Sequence, residues 1–328
     1  MKLNLTHSRF NDTLRKLGTV FVAMIVFLVF SFRAQNFATL DNFMLLLRQM
    51  TMLTVISLGF TFVMAAGGFD MSIGYASGLV GIAFVVVLLN TDSFILALLA
   101  AICAGAGIGC INGVLVAIIG LPDFIGTFAL GSVIYGVKLL ITQGNPIFVR
   151  VPETGDTTSY EIFRSIGAGY IFGIIPIMVV IMVFFIIVAY ILLAKTKLGR
   201  RIYAIGGNRE AALFAGINVK KYKFLSFVIS GLAVSFTAVM LASRLKSAQP
   251  TAGEGFLMDS ISAVFLSTTM FGEGEPTVLG TVVGAFIISM MNNGLTMLGV
   301  TYYFQYITTG VVVILAVLMS VVLRKNGK

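Results

Sequence analysis

Three carboxylates stand at the edges of long apolar runs: Asp70 in Gly-Gly-Phe-Asp-Met-Ser, Asp123 after Leu-Pro, and Asp259 in Leu-Met-Asp-Ser. An ionisable group at membrane depth is costly to hold, so such residues mark a substrate or ion pathway by default. Each also lies where a helix is expected to begin, and a carboxylate there can cap free backbone N–H groups. The two readings are compatible, because broken helix ends frame the substrate path in many transporters. Together with nearby polar side chains they define a candidate translocation path of Asp70, Ser72, Asn112, Asp259, Ser262 and Asn293. Other chemistry is poorly supplied. The single histidine, His7, lies in the N-terminal tail, which argues against a histidine-based catalytic or metal site. Cys103 and Cys110 are seven residues apart in one apolar run; on a helix that is ~10 Å, too far for a disulfide. No Gly-x-x-x-x-Gly-Lys-Ser/Thr occurs, so the chain has no P-loop for ATP. No catalytic residue and no metal site is expected.

These groups are positioned by a largely apolar chain. Hydrophobic residues make up 58% of its 328 positions and charged ones 11%, and the mean hydropathy is +1.03, which indicates a polytopic membrane protein. The net charge of +9 is no sign of nucleic-acid binding, because the bases cluster at membrane edges without an aromatic-basic module. Apolar segments fall at 17–32, 43–66, 72–90, 94–119, 124–142, 171–194, 224–243, 257–271, 277–298 and 304–323, which predicts an all-α membrane protein of about ten transmembrane helices. With both termini in the cytoplasm, fifteen of the 22 Lys and Arg residues fall in the two tails and the central loop, as positive charge inside requires. Segment 257–271 is short and polar, and must be buried in protein or line a cavity. The polar stretch 143–170 is then extracytoplasmic.

The loop from Lys195 to Lys223 is the organising element. Eight basic residues against the lone carboxylate of Glu210 leave it at +7. Asn208 is placed to N-cap a helix of about two turns over Arg209–Ala215, Glu210 suits its first turn, and Gly216 suits the left-handed C′ position. Ala211, Ala212, Leu213 and Phe214 have little to bury against in such a loop. A partner protein is therefore expected. Glycines four residues apart, at Gly105, Gly109 and Gly113, at Gly74 and Gly78, and at Gly280 and Gly284, predict close helix contacts. A faint repeat pairs Ala66–Gly74 and Asn112-Gly113 with Gly253–Ala263 and Asn293-Gly294; opposed span directions would make it an inverted repeat.

The spacing Glu210-Ala211-Ala212, three residues, Gly216 resembles the cytoplasmic loop by which permeases of ATP-binding-cassette importers dock on their ATPases. Gly-Gly-Phe-Asp-Met-Ser-Ile-Gly (Gly67–Gly74), Leu121–Thr127, Ser247–Ser267 and Met291–Val300 are similar to stretches of the permeases for ribose, galactose, xylose and autoinducer-type sugars. The Ile-x-Leu-Pro that follows the loop in many importer permeases is absent; Ser226-Phe227-Val228-Ile229 stands there instead. The resemblance implies a transport subunit rather than an enzyme, in the bacterial inner membrane, with a fold like the permease of the vitamin B12 importer. It implies ATPase-coupling residues Asn208, Arg209, Glu210, Ala211, Ala212, Phe214 and Gly216. Implied partners are ATPase subunits that bind the ATP, an extracytoplasmic sugar-binding protein and a second permease subunit, identical or related, besides the sugar and membrane lipid; no cofactor belongs to this chain. The alternative is an ion-coupled secondary transporter that works without an ATPase, with Asp70 and Asp259 as coupling sites.

Overall fold

The structure is a computed structural model that describes residues 23–153, 156–270, 274–312 and 314. It is helical almost throughout. The helices are α1 (Ala23–Arg33), α2 (Leu40–Ala65), α3 (Ile73–Thr91), α4 (Phe94–Gly113), α5 (Asp123–Thr142), α6 (Thr158–Ala168), α7 (Ile177–Tyr190), α8 (Lys197–Gly207), α9 (Arg209–Phe214), α10 (Val219–Leu245), α11 (Phe256–Met270) and α12 (Val278–Met297), followed by helical residues 302–312. Short π-helical turns, Val114–Ile119 and Ile191–Lys195, extend α4 and α7. Four two-residue strands complete the order: β1 (Ile147–Phe148) pairs antiparallel with β4 (Ser247–Ala248), and β2 (Tyr170–Ile171) with β3 (Ile175–Pro176).

Among the described residues seven helices are long and apolar enough to cross a membrane, which makes the chain an all-α, multi-pass membrane protein. The other three expected segments are helical where described. One is α1, one is the 15-residue α11, and one is the helical stretch 302–312, the rest of the segment expected to 323 lying largely outside the described residues. At ~1.5 Å per residue α11 reaches ~22 Å, short of the ~30 Å apolar layer. The N-terminal tail with His7 and the C-terminal bases lie outside the described residues.

Two compact units divide the described chain, one formed by the residues up to Met50 with those from Met258 onward, the other by Thr51–Leu257. In the second, α10 is the spine. A Cβ on Gly109 would lie 2.5 Å from the Phe227 carbonyl, one on Gly113 2.6 Å from the Phe224 ring, and one on Gly105 would strike Ser235 and the Gly231 carbonyl. The four-residue glycine stripe of α4 is thus a contact face against α10, as its spacing predicts. On another side of α10, a Cβ on Gly59 of α2 would come 2.6 Å from Ala233. In the first unit Gly280 and Gly284 of α12 play the same part against Ser267 and Ala263 of α11.

The segment 195–223 differs from expectation. Read from sequence as a loop around one short helix, it carries two. Thr196 accepts from the backbone N–H of Leu198 and Gly199 and so caps α8, whose buried positions Gly199, Ile202 and Ile205 face inward. Arg201 bonds the Tyr222 hydroxyl and lies over its ring, 5.2 Å from the centroid. Three glycines lower the helix propensity of α8; tertiary seating compensates, since the chain passes close to the Leu193 carbonyl at Gly199 and the Ala65 carbonyl at Gly206.

Candidate functional site

The helix α9 forms as its residues dictate. The Asn208 carboxamide oxygen accepts from the Ala211 N–H at 2.9 Å, satisfying a free donor at the helix start. At the other end Gly216 takes φ +75°, and Gly216 N–H to Leu213 O (2.9 Å) with Ile217 N–H to Ala212 O (3.0 Å) closes a Schellman motif. Both ends of so short a helix are therefore fixed. Arg209, Glu210 and Ala211 are exposed, Leu213 is 53% exposed and Phe214 is 93% exposed. Ala212 is a correction: at 4% exposure it is turned into its own chain and does not belong to an outward apolar face. Phe214 thus stands bare on a short helix that is capped at both ends and carries one base and one acid, Arg209 and Glu210.

The second site is the break between α2 and α3. Ser72 is the N-cap residue of α3 but makes no capping bond with its side chain, and Asp70 does not cap the helix. Its Oδ1 accepts from the Ser72 N–H (3.0 Å), the Ser72 hydroxyl (2.6 Å) and Asn112 Nδ2 (3.3 Å), and its Oδ2 from the Ser230 hydroxyl (3.1 Å). Asn112 Nδ2 also donates to Ser72 Oγ at 2.7 Å. These donors are uncharged, and the group is closed to solvent, Asp70 being 2% and Asn112 0% exposed. A buried carboxylate is tolerable only when so surrounded. Three of the expected path residues, Asp70, Ser72 and Asn112, thus meet, with Ser230 of α10 added. The cluster ties α4 and α10 to the point where the chain breaks.

Asp123 is likewise no cap. Pro122 occupies that position, while the Asp123 carboxylate accepts the Phe69 N–H at 3.2 Å and pairs with Lys223 at 2.7 Å.

In the other unit Asp259 sits in the first turn of α11 and accepts from Asn292 Nδ2 (3.3 Å) and the Thr309 hydroxyl (3.5 Å). The path candidate Asn293, one position on from Asn292, points elsewhere: it exchanges two 3.1 Å hydrogen bonds with Asn42. One residue on a helix is a rotation of ~100°, which spacing alone does not resolve. Ser262 is buried, and its hydroxyl is spent on the Met258 carbonyl at 2.8 Å.

One group was overlooked. Lys138 of α5 is 0% exposed and pairs with Glu254 at 2.7 Å. Its ammonium lies 4.8 Å from the Tyr135 ring centroid and 5.3 Å from that of Tyr75. A lysine inside an apolar run is itself a signal, but its partner stands 116 positions away.

Sequence comparison shows which known proteins this chain is similar to. The ribose import permease of Bacillus subtilis (strain 168) is 37% identical over 311 residues, covering 95% of this chain and 94% of that protein. The ribose import permease of Escherichia coli (strain K12) is 36% identical over 91% of this chain and 92% of its own length. An L-arabinose transporter permease of Azospirillum brasilense is 32% identical over 92% and 86% respectively. No solved structure matches significantly. The family described as the permease component of the branched-chain amino acid transport system matches residues 42–319. Seven membrane-length helices among the described residues and matches along nearly the whole chain lead to one conclusion: the protein belongs to this family of transport permeases.

Proposed function

We propose that the chain is the membrane-spanning permease subunit of an ATP-binding-cassette importer that moves a monosaccharide, or a similar small polar solute, into the cell. Relatives named for ribose, allose and arabinose support the substrate class. The observation that carries the coupling role is α9: a helix rigidly capped at both ends with Phe214 93% exposed. In this reading α8 and α9 face the cytoplasm, as do both termini, in the bacterial inner membrane. Asn208 and Gly216 shape the docking helix, Arg209 and Glu210 make polar contacts with the ATPase, and Ala211 and Phe214 enter its groove, with Ala212 as the seat.

The remaining partners follow from that assignment. ATPase subunits bind and hydrolyse the ATP, an extracytoplasmic binding protein delivers the sugar, and a second permease subunit, identical or related, completes the path; the chain is a transport subunit and not an enzyme. Asp70, Ser72 and Asn112, and in the other unit Asp259, Ser262 and Asn293, supply the polar groups beside the path. The test is co-purification with the ATPase encoded nearest in the genome, comparing the wild type with Glu210→Ala/Phe214→Ala. Loss of the complex with an intact membrane fraction is expected; retention of full stoichiometry and ATPase activity would contradict the role of α9. The buried carboxylate of Asp70 is what an ion-coupled transporter would use, and uptake driven by an ion gradient without any ATPase would favour that second reading.

A further inference from the structure

We propose that Asp123 and Lys223 are positioning residues that transmit ATPase-driven movement of α9 to the Asp70 cluster, acting as a latch between the docking helix and the helix break. The proposal rests on the reading of α9 as the ATPase-docking element.

The chain leaves α9 through Gly216, Ile217 and Asn218 and immediately begins α10, whose first turn is capped by the Asn218 side chain. Displacement of α9 therefore acts on the start of α10 with little slack. Lys223 lies in the second turn of α10 and Ser230 seven residues later, two turns on and so on the same face. Lys223 grips Asp123 at 2.7 Å and Ser230 grips Asp70 at 3.1 Å. Between these two contacts lies the segment Phe69–Met71. It is held from α5 by two side chains, Asp123 accepting the Phe69 N–H at 3.2 Å and Thr127 accepting the Met71 N–H at 2.9 Å. The Asp123 carboxylate thus uses one oxygen for α10 and the other for the backbone beside Asp70.

A second connection runs in parallel. The end of α8 packs on the end of α2, where a Cβ on Gly67 would lie 3.3 Å from Gly206 Cα and one on Gly206 would strike the Ala65 carbonyl. Residues 65–71 are therefore held by both the helix before α9 and the helix after it. Gly68 is needed for the latch itself, since a Cβ there would sit 2.8 Å from Asp123 Oδ2. The Lys223 and Asp123 side chains are 17% and 19% exposed, sheltered enough for the pair to be weakly screened by salt. Facing charged groups are few: Lys220, on the turn before Lys223, reaches the Ile118 carbonyl at 3.4 Å.

Such a latch alters coupling rather than assembly. The test uses the whole complex of permease, ATPase and binding protein in proteoliposomes, scored as sugar moved per ATP hydrolysed. Asp123→Asn and Lys223→Met are each expected to lower that ratio by about ten-fold, equivalent to ~1.4 kcal/mol of lost coupling, while the complex stays assembled and hydrolyses ATP. Lys223→Arg should restore it to near wild type, and the double variant should be no worse than either single one. An unchanged ratio in both single variants would overturn the proposal. So would loss of the ATPase from the Lys223→Met permease, which would assign the pair to assembly. Failure of the docking reading looks different: a wild-type permease that never holds an ATPase would overturn that reading and, with it, the latch.

Discussion

Removing Glu254 should damage the protein more than removing Lys138, although the two form one ion pair. Lys138 is wholly buried on α5 while the Glu254 side chain is 33% exposed. In Glu254→Ala the ammonium of a side chain that is 0% exposed in the intact protein loses its carboxylate and keeps the faces of Tyr75 and Tyr135. Leaving a buried charge without its partner costs about 3–5 kcal/mol, and the cation–π contacts, present with or without Glu254, do not change that difference, so a loss of about 3–5 kcal/mol is expected. In Lys138→Met a similar volume fills the site and Glu254 can turn to water, which costs about 0–1 kcal/mol. The double variant should therefore be more stable than Glu254→Ala alone, a sign reversal that independent sites cannot show. Equilibrium unfolding of the purified permease in detergent micelles, run as a four-member cycle, measures it. Additive losses, or a Lys138→Met variant worse than Glu254→Ala, would refute the reasoning.

Two more predictions concern packing and pH. On α4, Gly109→Ala should destabilise by about 1–3 kcal/mol, because overpacking forces α10 away, whereas Gly107→Ala, with nothing within 4 Å of its added carbon, should be neutral or slightly stabilising in the same unfolding assay. Tyr160 of α6 is buried and donates to Asp92; burial first, and then Asp92, push its phenol from the usual 10 up to about 12. The unfolded chain then loses this proton at lower pH than the folded one, so the contribution is complete below pH 10 and disappears as pH rises towards 12. Tyr160→Phe should lose about 1–2 kcal/mol of hydrogen bonding at neutral pH and show a shallower alkaline fall in unfolding midpoint; an identical alkaline slope would contradict the assignment.

What could be read from the chain alone was what is decided locally. The helix α9 is set by Asn208 and Gly216, residues whose own chemistry fixes a start and a stop, and its observed caps use those groups. The glycine stripe of α4 was equally legible, because helical period alone places Gly105, Gly109 and Gly113 on one face. Helix α8 was not, since its glycines suggest a loop until the carbonyls of Leu193 and Ala65 are seen to demand them. The helix expected from 171 begins only at Ile177, as α7, because Phe172 and Gly173 turn a hairpin that ends at Pro176. The polar partners were hardest. Asp70 with Ser230 and Lys138 with Glu254 join residues 160 and 116 positions apart, and that Asn292 meets Asp259 while Asn293 meets Asn42 depends on helix rotation.

The most direct test of the permease assignment is uptake by proteoliposomes that contain this chain, with radiolabelled ribose, allose and arabinose offered in turn. The account predicts accumulation of one such sugar only when the ATPase, its ATP and the binding protein are all present, and no loss of uptake when ionophores collapse every ion gradient. Accumulation by the permease alone, driven by an ion gradient and abolished by those ionophores, would contradict it.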